Sequence, residues 1–208
     1  EINQPLTAIA AYADAARQPV WLWVGSFMGL VIVGAITFAG SRIGITLHIA
    51  SILGSWGHTS PTYFPSPGDV TAGNEAMRRI IRTHPALVKG YVTVNPNFPD
   101  HAIAEIEQGL AAGMVGIKLA ASRRASHPLL DPIAALAAER GVPVLQHAWQ
   151  RRTREVANQE ISDALDLLEL AARHPAANLI LAHIGGGGDW AHSLRALSGV
   201  RNVWVDLS

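Results

Sequence analysis

From Arg42 onward the chain alternates short apolar runs of a strand's length with helix-like segments, and no other feature narrows its possible folds as far. The runs read as strands at Ile43 to Ile52, Ala86 to Val94, Val115 to Leu119, Val142 to His147, Asn178 to His183 and Asn202 to Leu207. A helix between two strands rules out a tight hairpin, so successive strands are joined by crossovers and the sheet is parallel. The helix signals fit that reading. Asn74 is placed to cap a helix over Glu75 to Thr83, and Asp100 to Ala112 stops at Gly113. Asp131 followed by Pro132 opens Ile133 to Arg140, which Gly141 ends. Another helix spans Ser162 to Arg173, with Leu165, Leu168 and Ala172 on its apolar face and Asp163, Asp166 and Glu169 elsewhere.

Periodicity alone leaves a doubly wound sheet and a barrel both open. Polar residues at the strand ends favour the barrel: Asn95, Lys118, His147, His183 and Asp206. A (β/α)8 barrel collects functional groups from the carboxyl ends of several strands at one rim. Two of these residues stand out, because His147 closes Val-Pro-Val-Leu-Gln-His and His183 closes Leu-Ile-Leu-Ala-His with a helix between them. Parallel neighbours keep their carboxyl ends together, so the two imidazoles arrive at the same edge and suggest a metal site.

Composition restricts the chemistry further. There is no cysteine, which excludes disulfides, thiolate catalysis and zinc ribbons and leaves imidazole and carboxylate as the strong metal ligands. The formal net charge is zero, so no basic field attracts nucleic acid. With 208 residues, 49% of them apolar, the chain can bury a sizeable core.

The N-terminal part reads differently. Between Arg17 and Arg42 no residue is charged, and residues 18–41 meet the length rule for a membrane span. Trp21 and Trp23 suit an interface, and Gly25 with Gly29 makes a small-xxx-small pair. The alternative is a buried helix or hydrophobic strands in a soluble core, since glycines at 25, 29, 34 and 40 weaken a helix in water.

The stretch from about Gly44 to Ser208 resembles the amidohydrolase-related family of metal-dependent TIM-barrel enzymes. The residues carrying the resemblance are Gly73-Asn74-Glu75, Gly90 to Pro96, Gly113 to Leu119, Gly141 to His147 and Leu181 to Gly186. The resemblance implies an α/β fold, a partial (β/α)8 TIM barrel of about strands 2 to 7 with an apolar N-terminal appendage. It implies that His147 is a metal ligand ending the fifth barrel strand, and that His183, ending the sixth, is a second ligand or the catalytic acid/base. Zinc, with manganese as the alternative, accepts neutral imidazole and lowers the pKa of bound water to about 7. The chain departs from the family pattern in two ways: it contains no His-x-His pair, and it stops at the seventh strand, short of the usual eighth-strand aspartate. His48 and His58 do not replace the pair, being ten residues apart. A second resemblance covers residues 1–17, which are similar to a histidine-kinase dimerisation helix without the phosphate-accepting histidine. The domains expected are therefore that fragment at 1–17, the apolar segment at 18–41 and an incomplete barrel at 42–208.

Three further residues are expected to bind substrate. Lys118 would orient a carboxylate, with a carbamylated bridging ligand and a plain rim lysine as the other readings; Trp149 would form a pocket wall or pack in the core; Asp206 would line the pocket without ligating. Arg123-Arg124 and Arg151, Arg152 and Arg154 lie in loops after strand ends and read as solvated charges or as anchors for an acidic substrate. His127, His174 and His192 read as surface or capping residues. The function expected is hydrolysis of a C-N or C-O bond in a small carboxylated molecule by metal-activated water. Nonoxidative decarboxylation on the same fold is the alternative, followed by a membrane-tethered binding module and an inactive fragment. The partners expected are a small-molecule substrate and a second copy of the chain, with a membrane only through residues 18–41. The compartment expected is the cytoplasm, or a membrane surface if that segment spans.

Overall fold

The computed structural model describes residues 47–52, 65–148, 160–183 and 190–206. The expectations for residues 1–17 and 18–41, for His58, for Trp149 and for Arg151, Arg152 and Arg154 lie outside the described residues. Among those described, no helix is long and apolar enough to cross a membrane.

Six parallel strands form one curled sheet, each hydrogen-bonded to the next in chain order: β1 (His48–Ala50), β2 (Val88–Val94), β3 (Gly116–Leu119), β4 (Pro143–Gln146), β5 (Asn178–Leu181) and β6 (Val203–Val205). The connections carry α1 (Pro67–Thr83), α2 (Pro99–Ala111), α3 (Asp131–Arg140), α4 (Ala164–Arg173) and α5 (Trp190–Ala196). Sequential order with a helix in each of these crossovers is the winding of a (β/α)8 barrel rather than of a doubly wound sheet, whose order reverses at a switch point. The fold is thus a partial TIM barrel, as expected. Two outer edges, on β1 and β6, have no strand partner among the described residues.

Alternation along the strands decides what faces the barrel interior. In β2 the even positions meet helices. A side-chain carbon placed on Gly90 would sit 2.6 Å from Met77 Cγ of α1, and Val92 packs on Gly109 of α2. Tyr91 and Thr93 therefore point the other way, inward. Register carries this parity across the sheet: Tyr91 pairs with Gly116, Thr93 with Lys118, Lys118 with Leu145, Leu145 with Ile180, and Ile180 with Trp204. The helix-facing residues make the core, where Met77, Ile106, Ile117, Leu119, Ile133, Leu167, Leu179 and Leu181 are all fully buried. Toward the edges the interior face opens, leaving Ile49 and Trp204 about half exposed at 54% and 49%.

Two helix assignments differ from the sequence expectation. The first helix starts at Pro67, eight residues before Glu75, because Ser66 and Asp69 form a reciprocal capping box and the proline preorganises the first turn. Asn74 is no cap; it is a buried mid-helix residue. Its Oδ1 accepts from the Thr93 N–H at 2.9 Å, and its Nδ2 donates to the Thr93 carbonyl and to Glu105 Oε2, both at 2.9 Å. β1 ends opposite Gly90, so the Asn74 side chain serves Thr93 where no strand does. In α4 the expected apolar face is displaced. Leu165 and Ala172 are exposed, while Ala164, Leu167, Leu170 and Ala171 are buried. Asp166, expected outside, is buried because it closes a capping box with Asp163 and accepts from Ser126 Oγ at 3.0 Å. The stop at Gly141 is as read: its φ of 65° is a left-handed conformation natural to glycine.

Candidate active site

The parallel winding brings His147, His183, Lys118 and Asp206 to one end of the sheet's inner face. His147 stands one residue past β4, where its N–H donates to the Leu119 carbonyl at 2.9 Å and continues the ladder. His183 stands two residues past β5. Strict alternation would put it on the helix side with Leu179 and Leu181. Instead the backbone turns left-handed there, with φ of 57°, the one positive φ at a non-glycine among the described residues. The imidazole is thereby aimed at its neighbour: the ring centroids of His147 and His183 lie 5.0 Å apart, edge to face at 74°. The turn is held by the next strand, since the His183 N–H donates to Asp206 Oδ1 at 3.2 Å and the Asp206 N–H donates to the Leu181 carbonyl at 3.0 Å.

Burial and charge set the protonation of these groups. His147 is pushed down to about 3, first by desolvation, then by the nearby Lys118 and His183, against a smaller opposing pull from Asp206. It is a neutral imidazole throughout the physiological range, the form that ligates metals. Lys118 is brought down to about 8 by burial, with Asp206 pulling the other way. It is 6% exposed and faces the barrel interior. Tyr91, also in the field of Asp206, has its phenol raised above the usual value mainly by burial.

Sequence reading missed Tyr91 and Thr93. Both share the inner face with Lys118, and the alternation in Gly-Tyr-Val-Thr-Val was the signal that would have found them. The Tyr91 ring lies across the neighbouring strand over Gly116, where an added side-chain carbon would come within 2.6 Å of Tyr91 Cδ1 and 2.9 Å of the Pro143 carbonyl. Glycine is required there for the ring to pass.

Of the loop arginines, Arg123 is engaged by a carboxylate. Arg123 pairs with Glu160 at 2.6 Å, and the same carboxylate accepts from the Arg124 N–H at 3.1 Å, tying the loop after β3 to the segment before α4. His127 accepts from the Leu129 N–H at 3.1 Å, and His174 meets Asp131 at 2.9 Å. His48 is buried in β1, away from the imidazole pair.

As a metal site these residues fit in part. Two imidazoles on adjacent strands supply two corners of a tetrahedral nitrogen and oxygen shell. Among the described residues, no group of three or more His, Cys, Asp or Glu is placed to hold an ion. A bound ion would therefore draw its remaining ligands from outside the described residues.

The amidohydrolase family model matches residues 66–208, and the chain belongs to that family. No curated protein matches it. Among solved structures it is similar to 2,6-dihydroxybenzoate decarboxylase from Rhizobium, at 16% identity and a TM-score of 0.56, covering 71% of this chain and 55% of that one. It also resembles an uncharacterized TIM-barrel protein from Bordetella bronchiseptica, at 11% identity and 0.63, covering 99% and 68%. A third is a probable 2-pyrone-4,6-dicarboxylic acid hydrolase from Acinetobacter baumannii, at 17% and 0.51, covering 85% and 59%. At these identities the likeness is one of fold. The chain spans little more than half the length of the Rhizobium enzyme.

Proposed function

We propose that this chain is a metal-dependent hydrolase acting on a C-N or C-O bond of a small carboxylated molecule. The observation that supports this most is the edge-to-face contact of His147 and His183 at the ends of adjacent barrel strands. His147 and His183 would hold a divalent ion, zinc first and manganese second. When bound, such an ion supplies Lewis acidity and a lowered pKa for water. The chain's own residues do the rest. His147 is neutral at working pH, the form that ligates a cation. His183 is held by Asp206 through its main chain, and its ring, set against that of His147, would ligate or move a proton. Lys118, charged below about pH 8, orients the substrate's carboxylate, with Asp206 lining the same interior.

Nonoxidative decarboxylation is the second reading, favoured by the fold likeness to the Rhizobium decarboxylase. The same electrostatics that hold a carboxylate also stabilise charge as CO2 departs.

The test is elemental analysis after demetallation and reconstitution with zinc or manganese. The expected result is stoichiometric metal that His147→Ala reduces by at least tenfold in affinity. Absence of stoichiometric metal, or no effect of His147→Ala, rejects the proposal. Release of CO2, against release of an amine from carboxylated amides or ring opening of carboxylated lactones to hydroxy acids, then separates the two reactions.

A further inference from the structure

Among the described residues, one polar group on the barrel's inner face has no hydrogen-bond partner. Thr93 is fully buried, and its hydroxyl oxygen has no hydrogen-bond partner. An unsatisfied buried hydroxyl costs about 1–3 kcal/mol, so such groups mark sites where a ligand or ordered water completes the bonding. The backbone of Thr93 is fastened on both its N–H and C=O by Asn74, so the residue is rigidly placed. Alternation aims its side chain inward, away from the α1 and α2 layer. Its register partner on β3 is Lys118, a buried ammonium in the fields of Asp206 and His147. Further along the same rung, Leu145 and Ile180 are apolar and half-buried.

We infer that Thr93 and Lys118 form a carboxylate subsite, in which one oxygen accepts from the Thr93 hydroxyl and the other meets the Lys118 ammonium, while Leu145 and Ile180 receive the apolar body of the acid. Register places this subsite deeper than the imidazoles. Lys118 pairs with Leu145, and His147 stands two residues nearer the rim, the next inward-facing position on β4. A carboxylate bound there holds the acid by its inner end and leaves the outer end beside His147 and His183. The Thr93 hydroxyl is closed to solvent, so a carboxylate reaches it once the side chains beside it on the inner face, Lys118 among them, give way. The inference rests on the proposed substrate class and names the residues that would select it; neither Thr93 nor Tyr91 ligates metal in this scheme.

The experiment is equilibrium binding by the full chain of benzoate and of benzamide, its uncharged isostere, followed by NMR in zinc-loaded and chelator-treated protein. Benzoate should bind more tightly than benzamide. Thr93→Val should weaken benzoate about tenfold, the loss expected for one hydrogen bond to a charged group, and leave benzamide within twofold. Thr93→Ser should retain benzoate binding, which separates the hydroxyl from packing, and Lys118→Met should abolish the preference for benzoate. Equal binding of the two probes, or equal weakening of both by Thr93→Val, overturns the subsite. The two proposals fail separately. Stoichiometric metal without Thr93-dependent benzoate binding removes only the subsite, whereas Thr93-dependent benzoate binding in protein that takes up no metal removes only the hydrolase reading.

Discussion

The His147 and His183 rings meet edge to face, 5.0 Å between centroids, although strict alternation would have put them on opposite faces of the sheet. The left-handed backbone at His183 reconciles the two, and a non-glycine in that conformation stores roughly 1–2 kcal/mol. Strain of this kind persists only where neighbours hold it, here Asp206 through the His183 N–H.

His183→Gly should therefore be more stable than His183→Ala by about 1 kcal/mol in urea denaturation, since glycine adopts this φ without penalty. Both variants should lose metal affinity alike. Equal stability of the two would show that the turn carries no strain.

Lys118→Met should stabilise the protein at pH 7. Among the described residues no counterion hydrogen-bonds to the buried ammonium, and its folded pKa of about 8 lies below the value in the unfolded chain. The unfolded state thus holds more protons between about pH 8 and 10.5, and wild-type stability rises with pH across that window as the buried charge is lost. Below pH 8 the penalty is fully present. The variant should gain roughly 1–3 kcal/mol at pH 7, and its advantage should shrink as pH rises toward 10.5. A less stable variant at pH 7 would mean that Lys118 is paired in solution.

Gly116→Ala should cost roughly 1–3 kcal/mol by overpacking against Tyr91 and the Pro143 carbonyl. Adding Tyr91→Ala should recover part of this loss, because the main-chain clash remains. The comparison is a double-mutant cycle in chemical denaturation. Strict additivity would show that the ring moves aside freely.

Asn74→Ala should cost roughly 2–4 kcal/mol, since it strands the Thr93 N–H and C=O and removes a donor from the buried Glu105 carboxylate. Glu75, exposed in the same tripeptide, should tolerate alanine within about 0.5 kcal/mol. Similar costs at both positions, measured by thermal and urea unfolding, would remove Asn74 from the role assigned to it.

Much of the architecture was legible in the chain. Apolar runs separated by helices dictated parallel strands, and strand-terminal polar residues pointed to a barrel rim, because these are properties of local period and connection length. The N-terminus of α1 was misread because Asn74, a good capping residue type, is used instead for a contact 19 residues away at Thr93. The face of α4 was misread because Asp166 looks solvent-bound in sequence and is buried by Asp163 and Ser126.

For the site itself, sequence alone placed His147, Lys118, His183 and Asp206 at strand ends, because the alternation of strand and helix brings every strand's carboxyl end to the same side. It could not show that His183 turns back toward His147, that Lys118 is buried inside the barrel, or that Thr93 stands beside it with an unpaired hydroxyl. Those depend on register, on backbone handedness at one residue and on what packs from neighbouring strands, and these are settled only when the strands pair and the sheet curls.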